Sequence, residues 1–193
     1  VQKLFPESVY ENDFGTVGVK TDSEDPRLKI IEITTFRLEG KYTDKRHPDE
    51  IKFAKTIEED LSRRDFTINA IALMTNNKQL MTSDKKSSVI SPTSLVDPFG
   101  GQTDLVAKRI RTVGRPDERF NEDALRLLRA VRFAAELGFS AGGGPASGWE
   151  IENETKAAIL RHTGLLEMIA KERIRDEFEK ILMTPRAAEG IRL

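Results

Sequence analysis

The stretch that decides the fold is Asn121-Glu-Asp-Ala-Leu-Arg-Leu-Leu-Arg-Ala-Val-Arg-Phe133. Its apolar residues recur at every third or fourth position and form a single stripe, which is typical of an amphipathic helix packed against a core. Asn121 is a suitable N-cap for this helix, and Gly138 is a suitable residue to end it. The pattern therefore predicts one helix that runs from about 121 to 137.

Outside this stretch, the chain divides into two parts of different character. In the first part, the β-branched runs 15–20 and 28–36 alternate between apolar and polar residues, as the strands of a hairpin do. In the second part, the pattern is helical except at 138–150. The sequence thus predicts an α+β fold, with an α/β domain over residues 1–113 and a helical domain over residues 114–193.

The composition narrows the possible functions. The 193 residues include 31 Lys and Arg and 32 Asp and Glu, a net charge of −1, which excludes a strongly basic protein that packs nucleic acid. The sequence has no cysteine and two histidines, which excludes thiolate chemistry and nearly excludes a Ser-His-Asp triad. No apolar run is long enough to cross a membrane and no signal pattern opens the chain, so we expect a cytoplasmic protein without a membrane partner. Any chemistry must then rest on carboxylates, arginines and metal ions.

The polar side of the predicted helix carries Asp123, Arg126, Arg129 and Arg132, which step by three residues. Asp123 and Arg126 are about one helical turn apart. The carboxylate of Asp123, which accepts hydrogen bonds, can therefore lie beside the guanidinium of Arg126, which donates them. Cytosine and adenine each present an amino donor beside a ring-nitrogen acceptor, whereas guanine and uracil present the opposite polarity. Such a pair can select cytosine and adenine, because the wrong base leaves buried polar groups unpaired. A surface salt bridge is the alternative, and the spacing alone favours it because such pairs are common on helices.

A second polar stretch, Arg63-Arg-Asp-Phe-Thr-Ile-Asn-Ala70, leads into a run with a helical pattern. Asp65 is a suitable N-cap for a predicted helix over 66–74, and Asn69 follows four residues later, so the two side chains share one helix face. Either of the two arginines can pair with a phosphate, while Asp65 and Asn69 can hold sugar hydroxyls. An ordinary capped helix with surface arginines is the alternative, and the spacing alone favours it.

The sequence does not decide the role of Glu32 or of the stretch 97–105. Glu32 lies between Ile31 and Ile33 on a predicted strand, so its carboxylate faces away from them, either into a site or into an edge salt bridge. The stretch Asp97-Pro-Phe-Gly-Gly-Gln-Thr-Asp-Leu105 has two glycines that permit a positive φ, so a hinge is possible, although a plain turn into a helix is favoured. The polar segment 40–50 is predicted to be a mobile loop.

Taken together and in this order, the motifs resemble those of the class II tRNA nucleotidyltransferases and bacterial poly(A) polymerases, and most closely those of the CCA-adding enzymes. The motifs that carry the resemblance lie at 14–17, 32–37, 63–70, 97–105, 122–129 and 171–182. The resemblance implies a polymerase-β-like nucleotidyltransferase head followed by an all-α neck. It also implies two-metal chemistry with Mg²⁺, in which C and A from CTP and ATP are joined to a tRNA 3′ end and pyrophosphate is released.

The resemblance also implies roles for single residues. Those it assigns to nucleotide binding are Arg64, Asp65, Asn69, Asp123, Arg126 and Arg129. The three-residue step along the same helix adds Arg132 to this set. Among them, Asp123 and Arg126 would read the incoming base. Glu32 would be an additional catalytic carboxylate near the metals, and the loop 40–50 would help to switch from C to A addition.

Parts of the family pattern are absent from the sequence. The Gly-rich turn with paired aspartates that holds the metals would lie upstream of Val1, so we expect an N-terminal part of the head to precede this residue, and the metal ligands stay unassigned. The glycine-rich stretch 141–148 does not fit the pattern either. Three alternatives stay open, namely a poly(A) polymerase, an enzyme that adds only CC or only A, and a non-catalytic nucleotide-binding fragment.

Overall fold

A computed structural model of the chain describes residues 1–10, 15–39, 51–75, 92–138 and 148–192. The predicted loop 40–50 and most of the stretch 141–148 lie outside the described residues. The strands are β1 Val9–Tyr10, β2 Val17–Lys20, β3 Ile30–Ile33, β4 Arg37–Glu39, β5 Ile51–Phe53, β6 Ala72–Thr75, β7 Pro92–Val96, β8 Arg109–Ile110 and β9 Glu150–Ile151. The α-helices are α1 Ile57–Ser62, α2 Gly101–Ala107, α3 Pro116–Glu122, α4 Leu125–Leu137, α5 Asn153–His162, α6 Lys171–Leu182 and α7 Ala187–Arg192.

The first three strands form an antiparallel sheet in the order β1–β2–β3. β2 pairs with β3, with Val17 opposite Ile33, which confirms the hairpin predicted from the alternating pattern. Its connection ends in a 3-10 turn at Pro26–Leu28, where the Asp25 carboxylate accepts a hydrogen bond from the Arg27 amide. In the described ranges, β4 with β5 and β6 with β7 form antiparallel pairs, and β8 with β9 forms a parallel pair.

Helices α1 and α2 begin at capping side chains. The Thr56 hydroxyl accepts a hydrogen bond from the Glu59 amide, and the Glu59 carboxylate accepts one from the Thr56 amide, which is a capping box. Gly100 has a φ of 74° just before α2, a conformation that glycine adopts without strain. The Asp97 carboxylate then accepts hydrogen bonds from the first two amides of α2 at 2.7 and 2.9 Å. The stretch 97–105 therefore adopts the plain turn into a helix.

The predicted helix over 66–74 is wrong. Phe66 has an extended backbone and forms an isolated antiparallel bridge with Thr112. A single 3-10 turn follows it, and β6 occupies the end of the run, where it pairs with β7. A short apolar run fits a strand as well as a helix, and here the pairing with β7 satisfies the backbone hydrogen bonds of the run.

The predicted single helix over 121–137 is also wrong, because the chain breaks at Asp123. This residue has an extended backbone with φ −142° and ψ 106°, and its Oδ1 accepts a hydrogen bond from the Leu125 amide at 3.0 Å. An aspartate side chain that binds a nearby amide offers the backbone an alternative to the helix. The helix does end at the predicted glycine, since Gly138 is the C-cap of α4.

One buried apolar cluster connects the strands and helices that surround α4. Its members include Phe66, Ile110, Phe120, Ala124, Leu127, Ala130, Ala158 and Ile169. The sequence pattern does not predict β9, whose two residues pair directly with the two residues of β8. Because packing is continuous between the two predicted domains, the division at 113 and 114 stays a prediction. In the part of the chain that the structure describes, no helix is long and apolar enough to cross a bilayer.

Candidate nucleotide-binding site

A polar cavity of about 570 Å³ opens where the turn after α1 meets the first turns of α4 and α6. Small-molecule sites commonly have volumes of roughly 300–1,000 Å³. Six of the residues proposed from the sequence line this cavity, namely Arg64, Asp65, Asn69, Asp123, Arg126 and Arg129. The other lining residues are Arg63, Leu125, Phe133 and Arg173. Five arginines and two aspartates give the lining a net positive charge, which suits an anionic ligand.

Asp123 lies in the break between α3 and α4, and its carboxylate is held from two directions. Oδ1 accepts the hydrogen bond from the Leu125 amide, and Oδ2 accepts one from Arg173 Nη2 at 2.9 Å. Arg173 Nη1 also reaches Oδ1, at 3.4 Å. An ionised carboxylate has about four lone-pair positions. Asp123 is therefore fixed in orientation while it keeps the capacity to accept a hydrogen bond from a ligand.

Arg126 is held at several points and lies in the same cavity lining. Its Nη1 donates to Glu122 Oε2 at 2.6 Å and to the Arg119 carbonyl at 3.2 Å. Its Nη2 donates to the Arg63 carbonyl at 3.1 Å. The side chain is only 10% exposed. These contacts join α3, α4 and the turn after α1, so the guanidinium keeps one orientation in the cavity.

Asp65 connects the turn after α1 to helix α4. Its Oδ1 accepts hydrogen bonds from the Phe66 amide at 2.8 Å and from Asn69 Nδ2 at 3.1 Å. Its Oδ2 accepts two hydrogen bonds from Arg129, from Nε at 2.8 Å and from Nη2 at 2.6 Å. Burial raises the pKa of Asp65, but the positive charge of Arg129 and the hydrogen bonds from Asn69, Arg129 and Phe66 together hold this pKa below its ordinary value. Asp65 is therefore an anion that orients Arg129 and Asn69.

The structure does not bring Arg132 into the cavity. Arg132 donates from Nε to Glu177 Oε2 at 2.7 Å and from Nη1 to Glu136 Oε2 at 2.6 Å. Its guanidinium carbon also lies 4.2 Å from the centre of the Phe133 ring. A step of three residues falls short of a full helical turn by about 60°. Two such steps carry Arg132 roughly 120° around α4 from Arg126, so the three arginines cannot all face one ligand.

Glu32 also lies outside the cavity lining. It is the third residue of β3, and all four residues of that strand are exposed. The prediction assumed that Ile31 and Ile33 bury one face of the strand and leave Glu32 on the other. Neither face of β3 is buried among the described residues. The alternation of apolar and polar residues along this strand therefore does not show which face would meet a site.

Of the four other lining residues, Arg63 was weighed together with Arg64 as a partner for phosphate. No site role was proposed from the sequence for Leu125, Phe133 or Arg173. Arg173 lies 50 positions from Asp123, its ion-pair partner, and no spacing pattern links residues so far apart. The resemblance of 171–182 to a neck helix is the only sequence signal for this contact. Phe133 packs edge-on against Phe66, with ring centres 5.6 Å apart. The sequence pattern around Phe133 indicates only a core residue, not a site residue.

The described residues do not form a metal site. Within the ranges that the structure covers, no three His, Cys, Asp or Glu side chains come together in a way that could hold an ion. The two carboxylates of the cavity, Asp65 and Asp123, are both paired with arginines. The side chains at hand therefore do not fit the two-metal centre that the resemblance implies.

Comparison with known proteins agrees with the motifs. A family model described as "Poly A polymerase head domain" matches residues 1–111, more than half of the chain. The chain belongs to this family. A second model, described as "Probable RNA and SrmB- binding site of polymerase A", matches residues 148–193. The resemblance to the tRNA nucleotidyltransferases and poly(A) polymerases is thereby confirmed, and so is the α+β fold with a polymerase-β-like head.

Curated relatives and solved structures in this family are similar over most of the chain. A CCA-adding enzyme from Geobacillus kaustophilus is 40% identical over 194 residues, which cover 100% of this chain and 40% of that protein. A CCA-adding enzyme from Anoxybacillus flavithermus is 45% identical over 84% of this chain and 34% of its own length. The crystal structure of the Bacillus stearothermophilus CCA-adding enzyme in complex with CTP matches with a TM-score of 0.70 and 36% identity over 97% of this chain and 38% of that chain. The Thermotoga maritima CCA-adding enzyme complexed with tRNA matches with a TM-score of 0.66 and 28% identity over 99% of this chain and 36% of that chain. The chain thus spans about two fifths or less of the length of these relatives.

Proposed function

We propose that the protein, at its full natural length, is a template-independent RNA nucleotidyltransferase that adds C and A to the 3′ end of tRNA. CTP and ATP are the substrates and pyrophosphate is the second product. The observation that carries the proposal is the presence of the Asp123 carboxylate and the Arg126 guanidinium, both held by the protein, in the lining of one cavity. The names of the relatives, and the CTP and tRNA in two of the solved structures, support it.

In this proposal, Asp123 and Arg126 select the base. Asp123 accepts a hydrogen bond from the exocyclic amino group of cytosine or adenine, and Arg126 donates one to the neighbouring ring nitrogen. Uracil and guanine carry a carbonyl oxygen in place of the amino group and a ring N–H in place of the bare ring nitrogen. Their carbonyl oxygen would meet the Asp123 carboxylate, which is also an acceptor, and their N–H would meet the Arg126 guanidinium, which is also a donor. Both protein groups are largely buried, so a mismatched base brings like hydrogen-bonding atoms together where little water reaches them, and this costs binding energy.

The remaining polar residues of the lining bind the sugar and the phosphates. Arg64, whose side chain is 44% exposed, is open to a phosphate, to which a guanidinium can donate two parallel hydrogen bonds. Asn69 is held by Asp65 and can bind a ribose hydroxyl. Arg129, ion-paired with Asp65, adds positive charge to the same wall. The excess of arginine over aspartate in the lining offsets part of the charge of a nucleoside triphosphate.

Mg²⁺ is the proposed cofactor. The residues that would hold it for the nucleotidyl transfer lie outside the cavity lining. When bound in such enzymes, two metal ions activate the attacking hydroxyl and stabilise the leaving group. The described residues are therefore proposed to select, orient and bind the nucleotide. Glu32 stays a proposed catalytic carboxylate near the metals, outside this cavity. Arg132, which pairs with Glu177 and Glu136, has no part in nucleotide binding in this proposal. The proposed location of the protein is the cytoplasm. The proposed domains are residues 1–113 and 114–193.

The test is nucleotide incorporation by the protein at its full natural length on a tRNA that ends just before CCA, followed by sequencing of the product. The expected result is addition of C, C and A, with loss of incorporation when Mg²⁺ is chelated. A long run of A would instead indicate a poly(A) polymerase, and CC alone or A alone would indicate a partial enzyme. Nucleotide binding without any incorporation would overturn the enzymatic proposal.

A further inference from the structure

A buried carboxylate behind the cavity wall binds both arginines of the turn after α1. Asp60, in the last turns of α1, has a side chain that is only 5% exposed. Its Oδ1 accepts hydrogen bonds from Arg63 Nε at 3.1 Å and Nη2 at 2.7 Å. Its Oδ2 accepts one from Arg64 Nη2 at 3.1 Å. Asp60 is therefore in contact with the two lining arginines without being part of the lining itself.

The same carboxylate also fixes these arginines to the sheet. Asp60 Oδ1 accepts a hydrogen bond from the Arg37 amide at 3.0 Å, at the start of β4. Arg63 Nε donates to the Arg37 carbonyl at 3.0 Å. Burial raises the pKa of Asp60, but the hydrogen bonds from Arg63, the Arg37 amide and Arg64, together with the positive charge of Arg63, hold this pKa below its ordinary value, so the group is an anion. The turn after α1 is thus connected to a strand through one charged side chain.

The charge of Asp60 decides how closely the two arginines can approach each other. Two neighbouring guanidinium groups repel, and a carboxylate that accepts from both offsets this repulsion. Arg63 is 14% exposed and Arg64 is 44% exposed, so Arg64 is the member of the pair that a ligand can reach. A guanidinium that is bound at one end by a buried anion loses rotational freedom before the ligand arrives, which favours binding.

We propose that Asp60 is a positioning residue, which orients Arg64 toward the phosphates of the nucleotide and supports it through Arg63. The inference rests on the proposed function only in that a nucleoside triphosphate binds in the cavity. Asp60 touches no substrate in this proposal, and it acts through Arg64. The proposal therefore predicts an effect on the binding of phosphates and none on the binding of the base and sugar.

The test compares CTP with cytidine, which lacks the phosphates, by calorimetric titration of the full chain. In Asp60→Asn, the shape of the side chain is kept and its charge is lost. We expect CTP affinity to fall about tenfold, the loss that follows when a charge-assisted hydrogen bond is misaligned, while cytidine affinity is unchanged. Arg64→Ala should weaken CTP binding, and Asp60→Asn should add nothing in the Arg64→Ala background. Asp25→Asn is the matched control, because Asp25 pairs with Arg27 at 2.7 Å on the exposed surface and should leave CTP affinity unchanged.

The results separate this inference from the proposed function. Unchanged CTP affinity in Asp60→Asn, equal losses for CTP and cytidine, or additive losses in the double variant would each overturn the positioning role. No binding of CTP by the unmodified chain would overturn the nucleotide site itself, and the positioning role with it. If Asp60→Asn does not fold, Asp60→Glu retains the charge and displaces it by one methylene group, and the same selective loss of CTP affinity is expected.

Discussion

Replacement of Asp65 by asparagine tests the central contact of the site, the ion pair between the turn after α1 and helix α4. The substitution keeps the volume of the side chain and its capacity to accept from the Phe66 amide. It removes the negative charge that accepts two hydrogen bonds from Arg129 at 2.6 and 2.8 Å. We expect the variant to fold with a lower free energy of unfolding, because Arg129 loses its nearer charged partner and keeps only Glu177, at 4.0 Å.

The size of the loss follows from the burial of the two side chains. Asp65 is 9% exposed and Arg129 is 33% exposed. Removal of one partner from a buried ion pair costs about 3–5 kcal/mol. Since water reaches a third of Arg129 and screens part of its charge, we expect a smaller loss of about 2–3 kcal/mol in the free energy of unfolding.

The loss should depend on pH in one direction. The pKa of Asp65 is lowered in the folded protein, because Arg129 and the hydrogen bonds outweigh the effect of burial. Its contribution to stability is therefore fully present above the pKa of an unfolded aspartate, about 3.9, and is lost as the pH falls through the lower folded value. The difference between the unmodified chain and Asp65→Asn should be largest near neutral pH and should shrink in acid.

Urea unfolding followed by far-UV circular dichroism measures this difference at neutral pH and again below the unfolded pKa. Asp25→Asn serves as the control, because the pair of Asp25 with Arg27 is exposed and such pairs contribute about 0–1 kcal/mol. A loss for Asp65→Asn no larger than that of the control, or a difference that grows in acid, would contradict a stabilising role of the ion pair between Asp65 and Arg129.

Two further substitutions test the surroundings of the site. Arg173→Ala removes the partner of the Asp123 carboxylate, so CTP affinity measured by calorimetry should fall about tenfold, as expected for one charge-assisted bond. Arg175→Ala, an exposed residue of the same helix, should leave this affinity unchanged. Gly101→Ala places a methyl group against the Thr67 carbonyl oxygen and 2.8 Å from Ile71 Cγ1, so its urea midpoint should indicate a loss of about 1–3 kcal/mol. Gly164→Ala, which meets open space, should lose less than half as much.

The parts of the fold that the sequence predicts well are those governed by local patterns. The alternating runs predicted the β2–β3 hairpin, which the structure contains. The periodic stripe after residue 124 matches α4, because a long amphipathic run has one favourable way to bury its apolar side. These elements depend on neighbouring residues, which a single sequence displays.

The parts that the sequence did not predict depend on contacts between distant residues. The break at Asp123 is stabilised by its own side chain and by Arg173 from α6, and the helical pattern continues across it without a visible signal. The end of the run after Phe66, 72–75, is a strand because β7 pairs with it. Arg132 was proposed from spacing, and the packing of α4 places it against Glu177. Glu32 was proposed from the strand alternation and the resemblance, and because β3 is exposed, the alternation does not show where this side chain points. Asp60 gives no sequence signal of its role, since its partners meet only in the fold.

The most direct measurement of base selection compares CTP with UTP, and ATP with GTP, in the unmodified protein at its full natural length and in Asp123→Ala. We expect a strong preference for CTP and ATP that falls toward equality when the carboxylate is removed, because the acceptor for the amino group is then lost. Glu118→Ala, on the exposed side of α3, should keep the preference. Full selectivity in Asp123→Ala would contradict the claim that this carboxylate reads the base.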